Sequence, residues 1–217
     1  MRRYAAISPD RLPDELAEFL VGVAIPGRVL RVAVDGPRAA GSDDLARALT
    51  EPLRTRGRPA IHIRTQTFWR DASLRLEHGR QDVDSYHDWL DAAALRREVL
   101  APLGPDGSGE YVPSLRDPAT NRATRDPSRT ASYGSVLLVS GELLLGRGLP
   151  FDVTIHLAVS AAARARQTAL EWAWTLPAFD AYDRDVDPDG TADVVVRLDD
   201  PRHPAISLTN DRRASRR

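Results

Sequence analysis

The chain has 217 residues, enough for one domain with a substantial core, and its 42% hydrophobic and 28% charged residues are typical of a globular protein. The formal net charge of -1 gives no electrostatic reason to expect nucleic acid or a membrane surface as a partner. Cysteine is absent, which excludes disulfides, thiol catalysis and cysteine-bound metal.

The first predicted element is an amphipathic helix after Ser8-Pro9-Asp10, a segment with the composition of a helix cap. Short apolar segments rich in β-branched residues predict buried strands at 29–34, 135–139 and 153–159. Further strands are predicted at 60–63 and at 192–196, the last of the chain. Helices are predicted at 45–53, with Leu45, Ala48, Leu49 and Leu53 inward, and at 91–100, 161–174 and 179–182. This alternation predicts an α/β fold with a parallel sheet of about five strands, helices on both faces and strand 29–34 in the centre.

The predicted organisation has three parts. An N-terminal helical extension covers residues 1–27 and ends at Pro26-Gly27, one domain covers 28–208, and a basic tail covers 209–217. Residues 105–130 are polar and interrupted by proline, which predicts a small flap hairpin within the domain.

A glycine-containing turn follows the first strand of the predicted sheet. It reads Gly36, Pro37, Arg38, Ala39, Ala40, Gly41, Ser42, Asp43, and G-x-x-x-x-G between a strand and a helix is the spacing of a phosphate-binding loop. A working loop continues with Lys, which neutralises phosphate charge, and Ser or Thr, which binds Mg²⁺. All 30 basic residues are arginine, and these two positions carry Ser42 and Asp43. On spacing alone, a capped helix after a glycine turn is the favoured interpretation.

Further segments, in the same order along the chain, resemble the uridine-kinase-like P-loop proteins of actinobacteria. The loop with Asp35 resembles DGxxGAGKT or DGxxAAGKT, and residues 68–70 (FWR) resemble DDFxR. Trp89 with residues 95–103 resembles DW…LRREVLxPL, and residues 136–145 resemble VLLVDGxFLL. Residues 117–122 resemble the flap over the nucleoside, and residues 187–196 resemble the closing DPxxxADVVV strand.

The resemblance implies a P-loop NTPase-type fold and the activity of a nucleoside or nucleotide kinase. It also implies a nucleoside pocket at Thr67, Phe68, Tyr111 and Arg122, and a lid arginine at Arg166.

The departures from the family pattern fall on the positions that carry the chemistry. Ser42 and Asp43 replace the loop lysine and the Mg²⁺-binding hydroxyl. At the other positions where the family pattern has an acidic residue, this chain has Gln66-Thr67, Ser140 and Gln167. The sequence therefore predicts a catalytically impaired kinase, a pseudokinase that binds a nucleoside, a nucleotide or a partner protein.

Two alternatives remain open. The first is an active phosphotransferase that uses ATP and Mg²⁺, with Arg38 and either Glu142 or Asp43 as substitutes. In this alternative Glu142 is the candidate catalytic residue, although a surface carboxylate is an equally good interpretation of it. For Arg38, a solvated side chain is the favoured interpretation. The second is an interaction protein without a ligand. A homo-oligomer is compatible with all three, neither a nucleic acid nor a membrane partner is expected, and the lack of cysteine fits a cytoplasmic location.

Overall fold

One mixed sheet of seven strands organises the computed structural model, which describes residues 2–25 and 27–208. The strands of the described residues, in chain order, are β1 (Ala5–Ala6), β2 (Leu30–Asp35), β3 (Ala60–Arg64), β4 (Glu110–Tyr111), β5 (Arg129–Thr130), β6 (Val136–Gly141), β7 (Val153–Ala158), β8 (Val194–Arg197) and β9 (Ala205–Leu208). The sheet order is β1-β9-β8-β7-β2-β6-β3, and β4 pairs with β5 in a separate hairpin.

Five adjacent strands of this sheet run parallel, namely β8, β7, β2, β6 and β3. This confirms the predicted parallel sheet of about five strands. Strand β2 lies between β6 and β7, and all six of its residues are buried, as expected for a central strand. The hairpin of β4 and β5 falls in the predicted flap.

The prediction that strand 192–196 is the last of the chain is wrong, because β9 follows it and pairs antiparallel with β8. The N-terminal strand β1 in turn pairs antiparallel with β9. Both are short strands at one side of the sheet, and short segments carry too few residues for a clear hydrophobic period.

Helices cover both faces of the sheet. They are α1 (Leu12–Val21), α2 (Ser42–Ala48), α3 (Thr50–Thr55), α4 (Ala72–Arg75), α5 (Val83–Tyr86), α6 (Ala92–Leu95), α7 (Ala161–Gln167), α8 (Leu176–Val186) and α9 (Pro188–Thr191). One apolar layer packs α1, α2, α3 and α7 against the sheet, and a second packs α6 and α8 against the opposite face. A π-helical turn at Arg96–Leu100 continues α6, so the predicted helix at 91–100 is present.

Three local predictions need correction. In the segment predicted as helix 45–53, Ala46 is buried and Ala48 is exposed, because the inward stripe runs through Ser42, Ala46, Leu49 and Leu53. The predicted helix 161–174 stops at Gln167, and a 3-10 segment, Leu170–Thr175, leads into α8. The Ser8 side chain makes no capping hydrogen bond with a described residue. Pro26 and the basic tail 209–217 lie outside the described residues.

Candidate functional site

The glycine turn lies at the carboxyl end of β2, the central strand, where ligands of parallel sheets bind. A 3-10 turn at Arg38–Ala40 leads to Gly41, whose φ of 71° is accessible to glycine at little cost. Helix α2 then begins at Ser42. Within the turn, the Ala40 amide donates to the Pro37 carbonyl at 2.8 Å and the Gly41 amide to the Arg38 carbonyl at 3.2 Å. These two amides therefore already have partners inside the loop.

Glu142, which follows β6, reaches into this loop. Its Oε1 accepts from the Arg38 backbone amide at 2.7 Å, and its Oε2 lies 3.3 Å from Arg38 Nη2. The Tyr86 hydroxyl donates to Oε2 at 2.6 Å. Only 9% of the Glu142 side chain is exposed. An internal carboxylate thus occupies donors of the loop that an anionic ligand would need.

Arg38 also contacts the segment that precedes α8. Its guanidinium lies 3.8 Å from the centre of the Trp172 ring, a distance typical of a cation–π contact. Arg38 is exposed, with 37% of its side chain accessible, as expected for a solvated residue, and it also has these two partners, Glu142 and Trp172. We call the contacts among Arg38, Tyr86, Glu142 and Trp172 the loop latch.

Aromatic rings extend the loop latch into the second apolar layer. Tyr86 packs edge-on against Trp89 and Trp174, with ring centroids 5.1 and 5.3 Å apart. Burial, followed by the neighbouring Glu142 charge, raises the pKa of Tyr86 well above its usual value. Tyr86 is therefore a neutral hydrogen-bond donor at physiological pH.

A second polar cluster lies at the start of α2. The Ser140 hydroxyl, at the end of β6, donates to Asp43 Oδ1 at 3.0 Å and lies 2.9 Å from His62 Nε2. His62 Nε2 is also 3.3 Å from Asp43 Oδ1. Arg47 donates to the other oxygen of Asp43, Oδ2, at 2.8 Å. Although serine, histidine and aspartate meet here, both partners approach the same imidazole nitrogen, so the set lacks the geometry of a hydrolase triad.

Burial is the main cause that lowers the pKa of His62, and the charges of Arg47 and Arg64 add to it, while Asp43 opposes it. The imidazole is therefore neutral at physiological pH.

A third cluster surrounds Asp35, the last residue of β2, which is fully buried. Its carboxylate accepts from the Leu144 amide at 2.8 Å and from the Tyr182 hydroxyl at 3.0 Å, and it lies 2.7 Å from His156 Nδ1. His156 Nε2 lies 3.6 Å from Asp189, beside a cavity of 350 Å³. This network ties the end of the central strand to β7 and α8.

The residues predicted to bind a nucleoside differ in their burial. Tyr111 and Phe68 are buried in the apolar core, while Arg122 is exposed. Thr67 is half-buried, and its hydroxyl donates to the Arg64 carbonyl at 2.8 Å. A small cavity of 20 Å³ does adjoin Glu142, but its wall is formed by Thr65, Gln66, Trp69, Tyr86, Trp89, Leu90, Glu142, Leu143 and Arg147.

Two arginines of α7 differ in their environment. Arg166, the predicted lid residue, is exposed. Arg164 is 3% exposed and forms ion pairs with Asp180 at 2.8 Å and Asp183 at 2.9 Å, both on α8. Its charge is therefore paired within the contact between α7 and α8. This difference was not predictable from the sequence, because it depends on where α8 packs.

No family model and no curated protein sequence matches the chain. The fold is matched by solved structures. One, described as a possible uridine kinase from Bacillus stearothermophilus, has a TM-score of 0.69 and 20% identity over 84% of this chain and 96% of that chain. The chain has the fold of the uridine-kinase-like P-loop kinases.

Two related structures support the same fold. A candidate fructose transport system kinase from Silicibacter sp. TM1040 matches with a TM-score of 0.55 and 19% identity over 84% of this chain and 91% of that chain. The protein YGR205w matches with a TM-score of 0.56 and 9% identity over 93% of this chain and 99% of that chain.

Phosphotransferases of this fold use Mg²⁺, which is held by a hydroxyl at the start of the helix after the loop and by a carboxylate from a neighbouring strand. Here the carboxylate, Asp43, stands at the start of α2, and the hydroxyl, Ser140, stands at the end of β6. Both kinds of donor are therefore present, in exchanged positions. In the described part of the chain, no group of three or more His, Asp or Glu side chains is placed to hold a metal. The same residues include no helix that is long and apolar enough to cross a membrane.

Proposed function

We propose that this chain is a nucleoside- or nucleotide-binding protein of the P-loop kinase fold in which phosphate transfer is impaired. The observation that carries the proposal is the occupation of the loop by Glu142, which accepts hydrogen bonds from the Arg38 amide and from Tyr86. The oxygens of a phosphate would have to displace this carboxylate from the Arg38 donors of the loop before they could bind there.

The side chains at the catalytic positions support the same proposal. Ser42, in the place of the loop lysine, is buried and cannot neutralise the charge of a β- or γ-phosphate. Gln66 and Thr67 stand where the family resemblance implies the carboxylate that would accept the proton of the acceptor hydroxyl. Neither residue is a base at physiological pH.

The experiment that tests this proposal combines binding with turnover. Calorimetry with ATP, GTP, UMP and uridine, each with and without Mg²⁺, measures affinity, and transfer of a labelled phosphate to uridine measures catalysis. Loss of a charged lysine–phosphate hydrogen bond costs about 1.5–3 kcal/mol, or about 10–100-fold in affinity, so we expect weak ATP binding and no transfer. A submicromolar dissociation constant for ATP-Mg²⁺ would contradict the proposal.

An active phosphotransferase is the second candidate, because Arg38 and Glu142 both lie at the loop, where they would contact a phosphate and a metal ion. Robust turnover by the natural chain, lost in Arg38→Ala, would favour this candidate. A chain that binds none of the four ligands would instead favour the interaction protein.

Repair of the loop separates binding from catalysis. The double substitution Ser42→Lys with Asp43→Thr restores the charge and hydroxyl of a working loop, and we expect it to strengthen ATP binding without transfer. Adding Thr67→Asp supplies a carboxylate for the acceptor and is required for any transfer. Absence of a gain in ATP affinity after the double substitution would show that the cleft does not accept the nucleotide.

A further inference from the structure

The cavity of 350 Å³ beside His156 is lined by residues of β7, β8, α8 and α9. No member of the loop latch is part of its wall, so it is a separate feature of the molecule. Binding sites for small molecules measure about 300–1,000 Å³ and combine apolar surface with a few well-placed polar groups. The cavity therefore has the size of a site for a small organic molecule.

Carboxylates dominate the polar wall of this cavity, which contains Asp183, Asp187, Asp189 and Asp199. Asp183 pairs with Arg164 at 2.9 Å, whereas no arginine of the described residues forms an ion pair with the other three carboxylates. Arg197 also lines the cavity, and its single positive charge is too little to balance them. The cavity therefore carries an excess of negative charge, which attracts cations.

His156 adds a buried hydrogen-bond acceptor to the same wall. Its side chain is 6% exposed, and its Nδ1 lies 2.7 Å from Asp35 Oδ2, which also accepts from the Tyr182 hydroxyl. Because a carboxylate offers only lone pairs, Nδ1 carries the hydrogen, and Nε2 of the neutral ring is an acceptor. Nε2 lies 3.6 Å from Asp189 Oδ1, beyond hydrogen-bond distance, and no described residue donates to it. Buried polar atoms normally have a partner, so this acceptor indicates a missing donor.

We propose that the cavity binds a small organic cation that carries a primary ammonium group. Such a group has three N–H donors and no acceptor, so it complements carboxylate oxygens and the lone pair of His156 Nε2. Ala158, Val159 and Pro188 offer apolar contacts to the carbon chain of the ligand. A metal ion fits less well, because no group of three or more His, Asp or Glu side chains in the described residues is placed to hold one.

The test uses the full chain and putrescine, a four-carbon diamine, as the probe. Its neutral counterpart is 1,4-butanediol, which has hydroxyl groups in place of the two amines. Calorimetry without nucleotide, at about 0.15 M salt to screen weak surface attraction, should give one putrescine site per chain. Putrescine should bind at least about tenfold more tightly than butanediol, because hydrogen bonds between charged partners are the stronger ones.

Two substitutions remove groups of the cavity. Asp189→Asn should weaken putrescine binding at least about tenfold, and since this side chain is 46% exposed, the substitution should leave the fold intact. His156→Asn keeps an amide donor for Asp35 but lacks Nε2, and it should weaken binding by a similar factor. Urea unfolding of both variants separates loss of the ligand contact from loss of the fold.

Asp185→Asn is the matched control. Asp185 is also an exposed carboxylate of α8, but it pairs with Arg184 at 2.9 Å and lies outside the cavity. Its substitution should change putrescine affinity by less than about twofold. In NMR spectra, putrescine should shift the His156 imidazole signal, identified by its loss in His156→Asn.

The proposal is overturned if putrescine does not bind, if butanediol binds as tightly, or if Asp189→Asn binds putrescine as tightly as the natural chain. Because these measurements contain no nucleotide and the cavity lies apart from the loop latch, such a failure would leave the proposed function untouched.

Discussion

Glu142→Ala should lower the stability of the protein while raising its affinity for anions. The side chain accepts from the Arg38 amide at 2.7 Å and from the Tyr86 hydroxyl at 2.6 Å, and it is largely buried. Hydrogen bonds to a charged group contribute about 1.5–3 kcal/mol each, and water can replace part of this at the exposed Arg38 side, so we expect a loss of about 2–4 kcal/mol in the free energy of unfolding.

The same substitution frees the loop for a ligand. A phosphate no longer competes with Glu142 for the Arg38 amide and guanidinium, which removes an opposing contribution of about 1.5–3 kcal/mol, or about 10–100-fold in affinity. Pyrophosphate and ATP should both bind more tightly to Glu142→Ala than to the natural chain. Urea unfolding, followed by tryptophan fluorescence, measures stability, and calorimetry measures anion affinity.

The matched control is Glu51→Ala, because Glu51 is an exposed carboxylate paired with Arg54 on α3, away from the loop. It should alter neither measurement appreciably. If Glu142→Ala destabilised the protein and left the affinity for both anions unchanged, Glu142 would be a structural residue and the loop latch would not oppose ligand binding.

Three further substitutions test the surrounding structure. Tyr111→Ala should reduce the free energy of unfolding by about 3–5 kcal/mol, because the ring is buried in the core, and a urea midpoint close to that of the natural chain would refute this. Asp35→Ala should reduce the free energy of unfolding by about 3–5 kcal/mol, because it leaves buried partners of Asp35 unpaired. The control is Asp189→Ala, at an exposed carboxylate, and an equal loss of stability in both variants would contradict the reasoning. For His62, whose pKa is lowered in the folded chain, the unfolded state binds more protons near its ordinary pKa of 6.5, so stability should fall as the pH falls through this value. His62→Gln should make this acid slope shallower in urea titrations at several pH values, and an unchanged slope would show that another group is responsible.

The central strand and its loop were predictable because their signals are local. An apolar β-branched segment followed by Gly36 and Gly41 indicates a strand, a tight turn and a helix without reference to the rest of the chain. The family resemblance added the expectation of a P-loop NTPase-type fold for the rest of the chain, and the observed sheet and its structural matches confirm that fold.

The loop latch was not predictable in this way, because its members are distant in sequence. Asp35 pairs with Gly141 in the sheet, and this register places Glu142 beside Arg38. The cluster of Asp43, His62 and Ser140 has the same origin, because the register of β3 and β6 decides which of their side chains meet. Tyr111 was assigned to the nucleoside pocket through the resemblance alone, whereas its burial depends on packing that sequence patterns do not encode.

The pairing of β1 with β9 has a consequence for the order in which the protein folds. Ala5 pairs with Ile206, and the Ile7 amide donates to the Pro204 carbonyl at 3.0 Å. On the ribosome, the first strand therefore remains without its partner until Ile206 and its neighbours have been synthesised. Contacts between such distant segments form late and slow the folding of a domain. Until then, the edge of the sheet at β8 is open to strands of other chains, so docking of β9 also protects the protein against edge-to-edge aggregation.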